Sequence, residues 1–422
     1  MKFLSYSACV LPLLASVLAI PAFPGAEGFG AQSLGARGGT ASVYVVTNLN
    51  DSGSGSFRDA VSQSHRVVVF AVGGLITISS RIVVSPNVYI AGQTAPGQGI
   101  TVYGNGISYS AAHNTITRFI RFRMGTTGDS GKDAITIANG HDMIFDHVSV
   151  SWGRDETFSI NGDVSNITIS DSIIAQGLET HSCGGLMQST GGVSIFRTLY
   201  IDNQTRNPKV KGINEFTNNV VYNWGGGGGY IAGDSAGPSE ANILNNVFLS
   251  GPSTSQHPFT RGNANFHTFV SNNYYDPDQD GTLNGFILGE STDNYSDVDF
   301  QDTQYPYPPV NTLLSPTDAF NHVRDHAGAS LVRDHVDTYL IQTEMLSFGK
   351  KGALITDPTL APINGPGPIS GGTAPTDTDH DGIPDAYESA HGTNPNVADS
   401  TNIASNGYTN IENYVNSLVP AV

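Results

Sequence analysis

Short runs of Val, Ile, Phe, Tyr and Thr, separated by Asn, Gly, Ser and Asp, dominate the chain after residue 43. Clear runs occur at 67–70, 88–90, 116–122, 143–145 and 166–169. Helical periodicity is nearly absent from this region. Because β-branched and aromatic runs bounded by turn-forming residues are typical of strands, the pattern predicts an all-β architecture.

The strand pattern also repeats. Similar segments begin at 146, 171, 198, 219, 246 and 273, at intervals of 21 to 27 residues. Such a period is typical of a solenoid, whose coils stabilise one another. Asn-Asn pairs at 218–219, 245–246 and 272–273 predict ladders of side-chain amides at one corner of successive coils. We predict a right-handed parallel β-helix; the alternative is a β-sandwich, whose hairpins usually need more regular short turns.

Changes in the pattern predict the domain boundaries. Segments between Asp318 and Glu344 have helical spacing with early Asp residues, so we expect one or two helices on the outside or end of the solenoid. Gly, Pro, Ser and Thr then form a stretch that is typical of a linker. The predicted units are a signal peptide (1–19), a β-helix domain (20–312), a helical extension (313–363), a linker (364–376) and a small C-terminal module (377–422).

The N-terminal residues indicate export. A basic start is followed by an apolar run that ends near Ile20, with small residues for cleavage at 17–19. The run is too short for a membrane span, and no later segment has about 18 consecutive apolar residues. Cys9 lies in the predicted signal peptide, so Cys183 has no partner in the mature chain. We expect a soluble, secreted monomer without internal disulfides.

The acidic balance of the chain restricts its partners. A formal net charge of -18 opposes binding to nucleic acid or to anionic membranes and favours calcium. Four sequons permit N-glycosylation in a eukaryotic secretory pathway, at Asn50, Asn166, Asn203 and Asn294.

An acidic loop opens the C-terminal module. Carboxylates stand at loop positions 1, 3, 5, 9 and 12, glycine stands at 6, and position 7 offers a backbone carbonyl. This spacing predicts a calcium site, and the alternative is a solvated acidic turn. Pro384 departs from an EF-hand and makes the loop resemble thrombospondin type 3 and dockerin repeats, which implies a structural or attachment role. The predicted ligands are Asp377, Asp379, Asp381, Ile383, Asp385 and Glu388.

A second loop repeats the start of this spacing. Asp276, Asp278, Asp280 and Thr282 surround a glycine at position 6. Position 12 is Ile287, so the carboxylate that would close the cage is absent. The sequence does not decide between a weaker calcium site and an ordinary Asp/Gly turn.

One basic segment stands out in this acidic chain. Arg206, Lys209 and Lys211 lie within residues 205–212, and Pro208 biases the residue before it toward extended backbone. We therefore expect the cations to project from an extended segment, although a solvated surface strand would look the same.

Three acidic residues upstream complete a candidate site. Residues of equal phase stack on one face of a solenoid. Asp133, Asp155 and Glu156 are therefore expected to meet beside Arg206.

Three segments resemble a known family. Asp-Ala-Ile at 133–135, Met-Ile-Phe-Asp-His at 143–147 and Arg-Asn-Pro-Lys-Val-Lys at 206–211 resemble the signature segments of the pectate lyase superfamily, polysaccharide lyase family 1. The resemblance spans residues 22–290 and is to secreted fungal-type enzymes with an appended calcium module. It implies calcium-dependent β-elimination of (1→4)-α-D-galacturonan, which yields 4,5-unsaturated oligosaccharides during cell-wall degradation.

The resemblance also implies roles for the basic residues. Arg206 matches the catalytic base of the family. Lys211 stands where the family has a second arginine and keeps the charge without the planar fork. The substrate-binding lysine of the family has no counterpart between 177 and 185, and His181 or Lys209 is the candidate substitute.

For the acidic residues the resemblance implies metal binding. Asp133 and Asp155 match groove calcium ligands of the family. Glu156 is the alternative to Asp155, because the alignment can shift by one residue. A further family carboxylate falls near Ser159. The Asp-His pair at 146–147 is more often structural in this family.

Three other functions compete with this interpretation. A β-helical polygalacturonase would need paired carboxylates, and no Asp-Asp pair occurs. A pectin lyase would replace the calcium carboxylates and line its groove with aromatic residues, which Trp152 and Trp224 could supply. A non-catalytic carbohydrate-binding β-helix would lose only affinity on removal of Arg206.

Overall fold

Short strands follow one another around a solenoid. The computed structural model describes residues 20–420. In that part the strands are β1 (Ser42–Val46), β2 (Arg66–Phe70), β3 (Gly74–Thr77), β4 (Ile82–Val83), β5 (Val88–Ala91), β6 (Ile100–Tyr103), β7 (Ile107–Ser108), β8 (His113–Arg118), β9 (Arg121–Arg123), β10 (Ile135–Asp146), β11 (Ser149–Ser151), β12 (Glu156–Ser170), β13 (Ile173–Ala175), β14 (Cys183–Gln188), β15 (Val193–Phe196), β16 (Leu199–Ile201), β17 (Lys209–Thr217), β18 (Val220–Tyr222), β19 (Tyr230–Ala232), β20 (Ser239–Leu244), β21 (Val247–Leu249), β22 (Phe259–Thr260), β23 (Phe266–Ser271), β24 (Tyr274–Asp276), β25 (Phe286–Ile287) and β26 (Asp299–Phe300).

Three rows of stacked strands form the walls. The first row consists of β4, β7, β14, β19 and β22 together with the N-terminal halves of β10, β12 and β17. The second row runs β1-β2-β5-β8-β10-β12-β15-β17-β20-β23-β26, and the third runs β3-β6-β9-β11-β13-β16-β18-β21-β24. The pairs within the rows are parallel, and β25 adds to β24 in antiparallel register. The predicted parallel β-helix is confirmed.

Asparagine side chains connect the coils at the corner between the second and third rows. The Asn219 Nδ2 donates to Asn246 Oδ1 at 3.0 Å, and the Asn246 Nδ2 donates to Asn273 Oδ1 at 2.9 Å. The Asn219 backbone N–H also donates to Asn246 Oδ1, at 2.8 Å. All three residues are buried, so the ladder pairs polar groups that the corner would otherwise leave unsatisfied. The predicted asparagine ladder is present.

Aliphatic and aromatic side chains fill the interior of the coils. Ile90, Phe145, Ile169 and Phe248 have no exposed surface and belong to one continuous cluster that extends along the solenoid. Burying such a side chain contributes about 1.5 to 3 kcal/mol each. This cluster supplies the stability that disulfides provide in many secreted proteins.

Helices lie at the ends and on the outside of the solenoid. In α3 the Ser315 Oγ accepts the Asp318 N–H at 3.2 Å and caps the first turn. Phe320 of α3 packs on Val220 and Leu249 of the third row, so the helical extension covers the outside of the solenoid. The helices are α1 (Phe57–Ala60), α2 (Thr292–Tyr295), α3 (Pro316–His326), α4 (His335–Thr338), α5 (Asp385–His391) and α6 (Asn410–Ser417), with a π-helical segment at Tyr339–Glu344 and 3-10 turns at Gly35–Gly38, Gly92–Thr94, Ser330–Val332 and Met345–Ser347.

The C-terminal module packs directly on the second row. Ile383, Ile411 and Val415 of the module share an apolar cluster with Val67 and Tyr89 of the solenoid. The interface is continuous with the N-terminal strands, so the module is held by burial of apolar surface.

The predicted linker also contacts the solenoid. The Gln98 N–H donates to Ser370 O at 2.8 Å, and the Ser370 N–H donates to Gln98 Oε1 at 2.8 Å. The segment 364–376, predicted as a linker, is therefore hydrogen-bonded to the solenoid at Ser370.

Three other sequence predictions concern the N-terminus, membrane spans and Cys183. The predicted signal peptide, 1–19, lies outside the described residues. Over residues 20–420, every helix is too short or too polar to cross a bilayer. Cys183 is buried as a free thiol.

Glu215 is a buried carboxyl on β17. Its Oε2 has no hydrogen-bond partner, and the residue is 1% exposed. Burial, followed by the Glu27 carboxylate, raises the pKa of Glu215 from 4.5 to about 8. The folded state therefore keeps this proton longer than the unfolded state does.

Replacing Glu215 with Gln is expected to weaken the pH dependence of stability. The stability linked to this proton is complete below about pH 4.5 and is lost as the pH rises through about 8. The wild-type free energy of unfolding should thus fall by up to about 1.4 kcal/mol per pH unit more steeply than that of Glu215→Gln. Urea unfolding at several pH values measures both slopes. Glu240→Gln, at an exposed position on β20, is the control, and identical slopes for Glu215→Gln and wild type would contradict the assignment.

Candidate active site

The first row brings three acidic residues together. Asp133 precedes β10, and Asp155 and Glu156 lie one coil later, at the start of β12. The Glu156 backbone N–H donates to Asp133 Oδ1 at 3.2 Å. Carboxylate oxygens of all three residues lie within 4.8 Å of one another. Because neighbouring coils are only about 4.8 Å apart, residues at equal positions on successive coils become neighbours.

The three carboxylates, termed the acidic trio, fit a hard cation. Burial raises the pKa of Asp133, and Asp155 raises it further, against a hydrogen bond from Thr136 at 2.8 Å that lowers it. A calcium ion prefers oxygen ligands at about 2.3 to 2.6 Å and would relieve this repulsion. Ser159 stands beside Asp133, where the family resemblance implied a further carboxylate. The trio is the candidate calcium site, and the face of the first row that carries the trio, Arg206, Lys209 and Lys211 is termed the groove.

Arg206 reaches the acidic trio from two coils further along. Glu156 is paired with Cys183 across β12 and β14, and Cys183 is bridged to Thr205. This register places the Arg206 Nη1 against Glu156 Oε1 in an ion pair. The Arg206 side chain keeps 26% exposure, so its guanidinium remains open to a ligand. The structure thus brings Arg206 beside the three residues that the sequence placed on one face.

A run of five glycines supports the turn that carries Arg206. The Thr205 Oγ1 donates to Gly227 O at 3.0 Å, and the Asn207 N–H donates to Gly229 O at 2.9 Å. A Cβ at Gly227 would lie 2.3 Å from the Thr205 Cβ, so only glycine permits this approach. Arg206 itself has φ +59°, in the left-handed region. The glycine run at 225–229 therefore holds the backbone on either side of Arg206.

Lys209 and Lys211 extend the site along β17. They are two residues apart on one strand and so point to the same side of the sheet. The Lys209 Nζ lies 3.6 Å from Asp234 Oδ2. Lys211 is registered opposite Gln188 on β14 and has no ion-pair partner in the described part of the chain. The strand therefore offers cations to an anionic ligand next to Arg206.

His181 contacts the acidic trio. Its Nε2 lies 2.9 Å from Asp155 Oδ1, and the ring is 55% exposed. The histidine that the sequence suggested as a substrate ligand is therefore paired with a candidate metal ligand. When it is protonated, His181 competes with a cation for Asp155.

Trp152 and Trp224 do not line the groove. Both are fully buried. The Trp152 Nε1 donates to Gln176 Oε1, and the Trp224 Nε1 donates to Gln256 O, each at 3.0 Å. These residues belong to the apolar interior, so the suggestion that they form an aromatic groove is wrong.

Asp146 and His147 lie on another face, at the end of β10. The Arg118 Nε donates to Asp146 Oδ2 at 2.8 Å, and the His147 Nδ1 lies 3.0 Å from the same oxygen. Against burial, His147 and Arg118 lower the pKa of Asp146 to about 2. A cavity of about 580 Å³ adjoins them, with Asp171 and Arg197 in an ion pair at its wall. The internal pairing of these charges supports the structural role that the resemblance implied.

The loop that begins at Asp276 uses its carboxylates within the turn. Asp276 Oδ2 accepts the Asn284 N–H at 3.0 Å, and Asp280 Oδ1 accepts the Thr282 N–H at 2.8 Å. Asp278 Oδ1 accepts the Asp280 N–H at 3.3 Å. Converging groups of carboxylates occur elsewhere in residues 20–420, but these three side chains do not form one. Of the two interpretations, the geometry favours the Asp/Gly turn.

The acidic loop of the C-terminal module does converge. Oxygens of Asp377, Asp379 and Asp381 lie within 4.8 Å of one another, and so do oxygens of Asp381, Glu388 and Asp399. Asp399 was missed by the sequence reasoning because it follows α5, outside the spacing of the loop.

Asp385 joins neither group. Its Oδ1 accepts the Thr378 N–H at 2.7 Å, and its Oδ2 accepts the Thr378 hydroxyl at 2.7 Å. In this structure Asp385 therefore stabilises the turn, and its predicted role as a calcium ligand stays a prediction. The Ile383 N–H donates to Asp381 Oδ1 at 3.0 Å, which holds the loop around the cluster.

The four sequons differ in accessibility. Asn50 and Asn166 are exposed, and Asn294 is half-buried. Asn203 has no exposed surface, and its Nδ2 donates to Ile174 O at 3.1 Å. Because a glycan needs that nitrogen at the surface, the predicted glycosylation of Asn203 is wrong for the folded protein.

Relatives match the chain over nearly its whole length. "Probable pectate lyase C" of Aspergillus fumigatus is 66% identical over 406 residues, which cover 96% of each chain. The protein of the same name from Emericella nidulans is 65% identical over 412 residues, which cover 97% of this chain and 96% of that protein. The chain belongs to the pectate lyase family. No family model matches it.

Solved pectate lyases share the fold. A thermostable pectate lyase, PL 47, superimposes with a TM-score of 0.54 at 14% identity and covers 75% of this chain and 100% of its own. A pectate lyase bound to a hexasaccharide gives a TM-score of 0.51 at 14% identity with the same coverage. At this identity the likeness concerns the β-helix alone.

In this pectate lyase, Asp133→Asn is expected to weaken calcium binding in the groove about tenfold or more, because a neutral amide replaces a charged ligand. Imidazole NMR signals of His181 report the groove selectively, since this ring contacts Asp155. Asp129→Asn, at an exposed position before β10, is the control and should titrate as the wild type does. An unchanged calcium midpoint in Asp133→Asn would exclude the acidic trio as the site.

Proposed function

We propose that the protein is a secreted pectate lyase that cleaves (1→4)-α-D-galacturonan in plant cell walls by calcium-dependent β-elimination. The products would be oligosaccharides with 4,5-unsaturated non-reducing ends. The observation that carries the proposal is the ion pair of Arg206 with Glu156 of the acidic trio. It unites a candidate base and a candidate calcium site in one groove. Family membership supports the same function.

Charge explains why this groove suits de-esterified pectin. The acidic trio alone repels a polyuronate, as does the net charge of -18. Lys209 and Lys211 supply local positive charge for substrate carboxylates, and Arg206 extends it. When bound, calcium would neutralise the uronate carboxylate beside C5 and so acidify the C5 proton. A neutral, methylated polymer would gain little from these groups.

In the proposed reaction Arg206 takes the C5 proton. The electrons of the C5–H bond form the C4=C5 double bond, the C4–O4 bond breaks, and the leaving oxygen takes a proton from solvent. Arginine is normally protonated in proteins, and the ion pair with Glu156 stabilises the cation. Glu156 would therefore have to leave this contact before Arg206 could act as a base.

We also infer that the enzyme acts outside the cell as a monomer on an acidic polysaccharide, without nucleic acid or membrane partners. The apolar N-terminal run supports secretion. The negative net charge opposes binding to polyanions in general, so a polyanionic substrate would have to be bound by the local positive charge of the groove.

Absorbance of the C4=C5 double bond during incubation with polygalacturonate tests the proposal. The wild type should produce absorbance with calcium and none with excess chelator. Arg206→Ala should lower kcat by about 10² to 10⁴-fold, the range for loss of a general base. Arg324→Ala, at a partly exposed arginine on α3, is the matched control and should keep wild-type activity.

Two results would contradict the proposal. Reducing ends without absorbance would indicate hydrolysis. The absence of both, with binding of polygalacturonate retained, would indicate a non-catalytic carbohydrate-binding β-helix.

A further inference from the structure

The C-terminal module contains a carboxylate without any partner. Glu388 on α5 is fully buried, and neither of its side-chain oxygens accepts a hydrogen bond. Oxygens of Asp381 and Asp399 lie within 4.8 Å of it and of each other. Burial, followed by neighbouring carboxylates, raises the pKa of Glu388 to about 7. A buried carboxylate is normally paired or bound to a metal, so this group is incomplete without a further component.

Backbone hydrogen bonds hold Asp399 at this cluster. Asp381 Oδ2 accepts the N–H groups of Asp399 at 3.0 Å and of Ser400 at 2.8 Å. These bonds join the acidic loop to a chain segment that lies beyond α5. Asp399 is therefore fixed beside Asp381 and Glu388 by the fold, although no loop spacing relates them.

The chemistry of these three side chains indicates which kind of ion they can bind. No Lys, Arg or His forms an ion pair with Asp381, Glu388 or Asp399 within residues 20–420. An all-oxygen set of carboxylates on flexible loops is typical of calcium sites, which accept irregular geometry, whereas magnesium requires a near-ideal octahedron. Asp379, next to this group, also has one unpartnered oxygen.

We propose that Asp381, Glu388 and Asp399 bind a calcium ion that fixes the C-terminal module on the solenoid. Asp381 Oδ1 holds the Ile383 N–H at 3.0 Å, and the Ile383 side chain is buried in the apolar interface with the second row. An ion at Asp381 therefore orders the loop that carries Ile383 into this interface. On the other side of the interface, Glu412 of α6 pairs with Arg37 at 3.1 Å. The ion acts on attachment of the module and does not depend on the function proposed for the groove.

Asp399→Asn in the full-length protein tests this site. Calcium should raise the unfolding temperature of the wild type, and Asp399→Asn should lose at least half of that rise and bind calcium at the module about tenfold more weakly. With excess chelator, Asp399→Asn should unfold at or above the wild-type temperature, because one of three repelling carboxylates is gone. A misfolded variant would instead unfold at a lower temperature in chelator.

Asp385→Asn is the matched control in the same module. The carboxylate of Asp385 faces Thr378 and not the cluster, so the calcium-induced rise in unfolding temperature should match that of the wild type. A full wild-type rise in Asp399→Asn would overturn the proposal. So would a loss confined to Asp385→Asn, which would indicate a site built from the loop alone.

Measuring lyase activity distinguishes the role of the proposed calcium site in the module from the role of the groove. Asp399→Asn should keep the wild-type kcat at saturating calcium while its thermal response is reduced. If the wild type has no lyase activity, the proposed function fails, but the thermal and binding measurements still decide the role of Asp399.

Discussion

The parallel register of the first row determines where every charged group of the groove lies. Glu156 is 23 residues beyond Asp133 and donates its N–H to that carboxylate, Cys183 pairs with Glu156, and Thr205 is bridged to Cys183. A slip of one residue would turn each groove side chain toward the interior. The asparagine ladder and the filled core prevent such a slip. These contacts lie away from the candidate site and still fix the positions of its side chains.

Two of the three groove carboxylates already have partners within the chain. Arg206 pairs with Glu156, and His181 pairs with Asp155. A cation and a polyuronate would exchange these contacts for their own, with the cation taking the carboxylates and the uronate taking the guanidinium. The chain thus contains two separate acidic clusters, for which we propose different roles: the groove cluster in chemistry, and the cluster around Glu388 in holding the module on the solenoid.

Sequence predicts the features that depend on local periodicity. The β-helix, the asparagine ladder and the meeting of Asp133, Asp155 and Glu156 beside Arg206 all follow from repeating strands of similar phase. The direction in which the side chain of a turn residue points could not be predicted from the sequence, because the coils differ in length. Asn203, Trp152 and Trp224 are buried for this reason, and Asp399 joins Glu388 through tertiary contacts that leave no spacing in the sequence. Composition likewise predicted the linker at 364–376 but not the hydrogen bond that joins Ser370 to Gln98 of the solenoid.

A crystal structure of the Arg206→Lys variant with calcium and an oligogalacturonate is the most direct test of the central claim, that the coil register assembles one groove for metal and substrate. We expect an ion bound by Asp133, Asp155 and Glu156, with a uronate carboxylate on it and the C5 hydrogen facing residue 206. Calcium absent from the acidic trio at saturation, or a saccharide bound at the cavity near Arg118 and Arg197 with the groove empty, would contradict it.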